Sequence, residues 1–130
     1  MQSLDTNVLL RLILLDDAKL LVRVRKLLSE HDQFAVSDAA LMEVVFVLVG
    51  STYGYTRAEI TFALDQLLRM PRLELNRPVF RRVLQRYADH SAVSFADLYL
   101  EATAYVYSNT PLYTLDKKLA RQLPHAELVT

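Results

Sequence analysis

The stretch Phe34-Ala35-Val36-Ser37-Asp38-Ala39-Ala40-Leu41-Met42-Glu43-Val44-Val45-Phe46-Val47-Leu48-Val49 changes character after its third residue. Phe34 to Val36 form a short β-like run. Ser37 or Asp38 then offers a side-chain oxygen to the first unpaired backbone N–H groups of a helix. That helix is predicted to run toward Tyr53, with Gly50 and Gly54 bracketing its fraying end. A strand that passes straight into a helix is the repeating unit of a parallel sheet.

The same alternation extends both ways. Upstream, Gln2 to Leu4 read as a strand feeding a helix over Asn7 to Leu15. Asp16 to His31 read as a second helix, with Leu20, Leu21, Val24, Leu27 and Leu28 at helical spacing. Downstream, Thr56 opens a helix with Glu59 at capping-box distance, ending near Met70 before Pro71. Leu73 to Leu75 form a third strand. Pro78 suits the first turn of a helix ending near His90. Ser94 caps the next helix, which reaches Tyr107. Leu112 to Thr114, Asp116 to Leu123 and Glu127 to Val129 complete the pattern as strand, helix and strand. The prediction is an α/β fold with a mostly parallel sheet covered by helices on both faces. In such folds, reactive groups gather at the carboxyl ends of the strands.

No repeat, linker or low-complexity tract divides the 130 residues, so one domain is expected over residues 1–130. With 52% apolar residues the chain can bury a real core. There is no cysteine, which excludes disulfides, thiolate zinc sites and thiol catalysis. Met1 to Leu4 lack a basic lead, and Asp5 interrupts any apolar run, so no signal peptide is expected. Ala39 to Val49 is broken by Glu43 and is too short for a span of roughly 18 residues. A soluble, cytoplasmic protein without membrane contact is expected. Fifteen basic and fifteen acidic residues balance overall. Locally, Arg69, Arg72, Arg77, Arg81, Arg82 and Arg86 face a single acid, Glu74. Arg77, Arg81, Arg82 and Arg86 are therefore candidates for contacts to the backbone of a polyanionic partner, against the plainer reading of a solvated helix face.

Three acids stand where helices begin. Asp5 follows the first strand, Asp97 lies in the first turn after Ser94, and Asp116 follows the Leu112 to Thr114 strand. Each alone is explained by capping and by the helix dipole. Glu43 is different. Every near neighbour is apolar, so its helix is expected to be buried nearly all round. A buried carboxylate needs a partner, either an arginine or a cation. Four carboxylates in one cleft repel unless a cation joins them, and hard oxygen donors select Mg²⁺ or Mn²⁺. Such a metal activates water and steadies a phosphate's charge, which points to phosphodiester hydrolysis.

Leu4-Asp5-Thr6-Asn7-Val8-Leu9-Leu10-Arg11, Leu41 to Leu48, Phe95-Ala96-Asp97 and Tyr113-Thr114-Leu115-Asp116-Lys117-Lys118-Leu119 together resemble a PIN domain, and among those the VapC-like toxins of bacterial toxin–antitoxin pairs. The segments occur in the family's order across nearly the whole chain. The resemblance implies a three-layer α/β/α sandwich around a short, mostly parallel central sheet of about four or five strands. It implies a divalent-metal ribonuclease in which Asp5, Glu43, Asp97 and Asp116 form the acidic quartet, Asp5, Asp97 and Asp116 bind metal, and Thr6, Asn7 and Thr114 support them. It also implies an RNA substrate, an antitoxin partner and a homodimer. Two positions depart from the family pattern. Phe46 stands where tryptophan is common, and Leu98-Tyr99-Leu100-Glu101 follow Asp97 where small residues are common. Glu101, four residues beyond Asp97 on the same helix face, is either a fifth acid near the metal or a surface charge, and the surface is expected.

An aspartyl-phosphate phosphatase needs a second carboxylate two residues after the first, where this chain has Asn7. Two glycines are too few for a phosphate-binding loop or a dinucleotide fingerprint. The remaining alternative is a non-catalytic RNA-binding or protein-interaction module on the same fold, which a metal titration separates from the enzyme. His31, His90 and His125 are too scattered for a ligand set.

Overall fold

The computed structural model describes residues 1–130 as two compact units, Met1–Asn76 and Arg77–Thr130.

The first unit runs β1 (Gln2–Ser3), α1 (Thr6–Leu14), α2 (Ala18–Glu30), β2 (Phe34–Ala35), α3 (Asp38–Val49), α4 (Arg57–Leu68) and β3 (Leu73–Glu74). Its three strands pair in parallel in the order β1-β2-β3. Gln2 lies opposite Phe34, and Phe34 opposite Leu73. Leu4 N–H donates to the Ala35 carbonyl at 3.0 Å and Val36 N–H to the Glu74 carbonyl at 2.9 Å, carrying the pairing past the strand ends. Caps then start the helices. The side chains of Asp5, Asp17, Ser37 and Thr56 each accept a backbone N–H in the first turn of α1, α2, α3 and α4. At α4 the box is reciprocal, with Glu59 accepting from Thr56 N–H. Gly54 sits at a φ of 57°, a conformation that favours glycine. Leu9, Phe34, Leu41, Leu48, Ile60, Leu64 and Leu73 are among the fully buried side chains. Arg72 donates to the carbonyls of Leu28 and His31 at 3.0 and 2.6 Å. It thereby satisfies acceptors that the end of α2 leaves open.

The second unit runs α5 (Arg77–Tyr87), α6 (Phe95–Val106), β4 (Leu112–Thr114), α7 (Lys117–Gln122) and β5 (Ala126–Leu128). α5 packs on α6 through aromatic side chains. Phe80 stacks on Phe95 at 6.3 Å, and Tyr87 meets Phe95 edge-on at 5.1 Å. β4 and β5 pair in parallel, with Tyr113 opposite Glu127, and α7 is their crossover. The molecule is thus α/β with parallel pairing throughout, in a three-stranded and a two-stranded sheet.

Candidate active site

Asp5 leaves the carboxyl end of β1 and caps α1, its Oδ1 accepting from Val8 N–H at 3.2 Å. Its other oxygen has no protein partner. The next residue, Thr6, donates its hydroxyl to Glu43 Oε2 at 2.5 Å. Glu43 comes from α3, which leaves the carboxyl end of the neighbouring strand β2. The parallel sheet therefore delivers Asp5 and Glu43 to one edge, and Thr6 ties them. Asn7 is exposed beside them.

The expectation that α3 is buried all round is corrected. Ala40, Leu41, Val44, Val45 and Leu48 face the core, whereas Glu43 is exposed together with Phe46 and Val49, which are 59% and 41% exposed. Steps of 100° per residue put Glu43, Phe46 and Val49 on one side of the helix and the core set on the other. A helix apolar on both sides has no periodicity that would announce this.

In the second unit, Asp116 follows β4 and caps α7. Its Oδ1 accepts from Lys118 and Leu119 N–H at 2.9 and 3.1 Å. Thr114 Oγ1 accepts from Asp116 N–H at 3.0 Å, so the threonine fixes the backbone that carries the acid. Asp97 is half-buried in the first turn of α6, where its own N–H is held by Ser94 Oγ at 3.1 Å. Its carboxylate has no hydrogen-bond or ion-pair partner. The helix N-terminus favours its charge.

These acids are the right donors for a hard divalent cation. All supply oxygen, and Asp5, Asp97 and Asp116 each keep at least one oxygen uncommitted. As placed, no three Asp, Glu or His side chains stand close enough to hold a metal ion. His31 packs edge-on against Phe34, His90 lies against the Arg86 carbonyl, and His125 stacks on Tyr105.

The arginine-rich stretch divides in function. Glu101 is 1% exposed, not at the surface as the sequence suggested. Arg82 meets it with Nε at 3.1 Å and Nη2 at 3.3 Å, and Arg86 with Nη1 at 3.1 Å. Burial acts to raise the Glu101 pKa, but the two guanidiniums outweigh it and hold the carboxyl below its usual value. Arg82 also lies 3.8 Å from the Tyr105 ring centre. Arg82 and Arg86 are thus committed to an internal ion pair rather than open to a polyanion. Arg77 is half-buried and Arg81 exposed. The sequence did hold a clue, since Arg82 and Arg86 share a helix face and Glu101 sits between the apolar positions Leu98, Ala102 and Ala104.

The family model described as PIN domain matches residues 3–122. The chain belongs to the PIN domain family. The match takes in Asp5, Thr6, Glu43, Asp97, Thr114 and Asp116, the residues whose surroundings are given above. The PIN domain is a nuclease-type fold, generally of metal-dependent ribonucleases, which makes hydrolysis the coarse chemical class. Comparison with curated proteins gives no match, and neither does comparison with solved structures. No helix of this PIN domain is long and apolar enough to cross a membrane.

The first unit also carries a largely apolar cavity of about 740 Å³, lined by none of these acids. Leu12, Ile13, Leu28, Phe62, Leu67 and Met70 contribute to its wall, and Phe62 is 69% exposed. Leu9 and Leu10 of α1 are core residues and take no part in its wall.

Proposed function

We propose that this PIN domain is a divalent-metal-dependent endoribonuclease, and that it is the toxin of a bacterial toxin–antitoxin pair. The observation that carries the reading is the hydrogen bond from Thr6 to Glu43, one residue from Asp5 at the carboxyl edge of a parallel sheet. Two acids held at such an edge, both exposed, suit a polymer substrate better than a buried small molecule.

Asp5 and Asp97 would hold Mg²⁺ or Mn²⁺ directly, Asp116 directly or through water, and Glu43 through water. When bound, such a cation activates water and offsets the charge of the phosphate. The protein's own groups do the rest. Glu43, its carboxylate held by Thr6, would accept a proton from the attacking water. Thr114 and the first turn of α7 fix Asp116. Calorimetric titration with Mn²⁺ tests the assignment. Asp97→Asn should bind Mn²⁺ much more weakly than wild type, and equal affinity removes Asp97 from the metal-holding set.

The partner in this proposal is an antitoxin that lays an amphipathic helix into the cavity walled by Ile13, Phe62 and Met70. The protein itself would be a homodimer acting in the cytoplasm. Expression alone should slow growth, and co-expression with the genomic neighbour should restore it. Equal growth in both cases counts against the toxin role and leaves nuclease chemistry standing.

A further inference from the structure

With Arg82 and Arg86 committed to Glu101, α5 keeps only Arg81 as an exposed cation with no partner, and a denser set lies on α2. α2 carries Lys19, Arg23, Arg25 and Lys26, all exposed and none with its side-chain cation engaged in a hydrogen bond or ion pair. Lys19, Arg23 and Lys26 are spaced i, i+4, i+7, so they share one face. At 1.5 Å per residue they span about 10 Å along the helix. The adjacent face, Leu20, Val24 and Leu27, lines a groove of about 560 Å³ against α1. Arg23 stands on the rim of that groove. Its far wall includes Val8 and Asn7, and Asn7 is two residues from Asp5. The other guanidinium there, Arg11, is already balanced by Asp16 at 2.8 Å.

α2 is otherwise hard to explain. Only Leu28 of its thirteen residues is buried, while Val22 is 67% exposed. A helix that contributes so little to the core keeps its surface for something else. Three uncompensated cations in line beside an apolar floor fit a single strand of nucleic acid, with phosphates on the rim and base faces against the floor. We propose that the Lys19–Arg23–Lys26 face of α2, with the groove beside it, binds the RNA strand that leads away from Asp5. This rests on the ribonuclease reading and names the surface that grips the substrate. Charge complementarity selects RNA as the occupant: each phosphate contact displaces condensed counterions, and these cations have no acid to lose first.

The test measures binding, not cleavage. In an Asp5→Asn background that blocks turnover, a labelled twelve-nucleotide single-stranded RNA is titrated by fluorescence anisotropy across a salt series. Replacing Lys19, Arg23 and Lys26 together by alanine should weaken binding at least tenfold at low salt. The slope of log affinity against log salt should fall by about two units, at roughly 0.7 per phosphate contact on a single strand. Arg23→Ala alone should remove roughly one contact's share, and Arg23→Lys should keep most of it. Arg69→Ala, which removes an exposed arginine already balanced by Asp65, should change neither quantity. Circular dichroism confirms that the folds match. An unchanged slope in the triple variant, with RNA cleavage intact in the wild-type protein, overturns this surface and leaves the ribonuclease reading in place. No RNA binding by Asp5→Asn and no cleavage by the wild type overturns both. Retained RNA affinity with lost binding to poly-glutamate also overturns it, and assigns the face to an acidic protein segment.

Discussion

Thr6 Oγ1 stands 2.5 Å from Glu43 Oε2, joining the first residue of α1 to the middle of α3 across thirty-seven positions of sequence. The bond links the segment after β1 to the segment after β2, and so couples Asp5 to the only acid on the exposed side of α3. Both partners are reached by solvent, so the bond contributes little to stability and much to where the carboxylate points.

Thr6→Val therefore separates positioning from folding. It should cost no more than about 1 kcal/mol in urea denaturation, the net worth of one hydrogen bond. It should lower kcat for RNA cleavage by at least tenfold with little change in KM, because a proton acceptor that wanders no longer meets the attacking water. Thr6→Ser should restore most of the rate. If Thr6→Ser is as slow as Thr6→Val, the hydroxyl is not what matters.

Glu43→Gln extends the same logic to the acceptor. Because Glu43 is exposed, its replacement should leave the melting temperature of metal-free protein unchanged or slightly raised, while activity is lost. A large drop in stability would return Glu43 to the role of a structural ion-pair partner.

That structural role belongs to Glu101. Glu101→Gln leaves two guanidiniums without a counter-charge and should destabilise the protein by about 3–5 kcal/mol, read from urea denaturation at neutral pH. The sign of the pH dependence follows from the lowered pKa. Unfolded, Glu101 binds its proton near the usual 4.5; folded, it holds out to lower pH. The ion pair thus contributes in full above the unfolded value and is lost as pH falls through the folded one. The stability gap between wild type and Glu101→Gln should be constant at neutral pH and shrink in acid. A gap that widens in acid contradicts the pair.

Much of this was legible in the residues and some was not, for identifiable reasons. Local signals held. Thr56 and Ser94 cap helices where their side-chain chemistry predicts, Ser37 takes the cap that Ser37 or Asp38 could fill, and the Thr56–Glu59 box forms in both directions. The strand-to-helix handovers at Asp5 and Asp116 are where alternation puts them. What failed was the assignment of faces. Uniform apolarity over Ala39 to Val49 does not say which side a neighbour covers, and the usual exposure of glutamate puts Glu101 outside, whereas the structure exposes Glu43 and buries Glu101. The arginine count in α5 was right as charge and misleading as surface, because its counter-charge lies on α6, nineteen residues from Arg82. The α2 cations carry no sequence signal of their own, because a helix of mixed Lys, Arg and Leu looks ordinary until the surroundings of its side chains are known.

The capping role of Asp5 and Asp116 makes their asparagine variants informative. Asparagine caps a helix about as well as aspartate, so Asp116→Asn should keep stability within about 0.5 kcal/mol. Asp116→Ala loses the bonds to Lys118 and Leu119 N–H and should cost about 1 kcal/mol more. Both should lose activity alike, since the charge is gone in each. Full activity in Asp116→Asn would confine this residue to capping.

Cleavage of RNA by purified wild type and Asp5→Asn, with the product ends determined, tests the central claim most directly. Wild type should require Mg²⁺ or Mn²⁺, stop with EDTA, and leave 3′-hydroxyl and 5′-phosphate ends, the outcome of in-line attack by water. Asp5→Asn should keep its fold through the conserved cap geometry and lose activity by orders of magnitude. Metal-independent cleavage that leaves cyclic-phosphate ends, or cleavage undiminished in Asp5→Asn, would contradict the account.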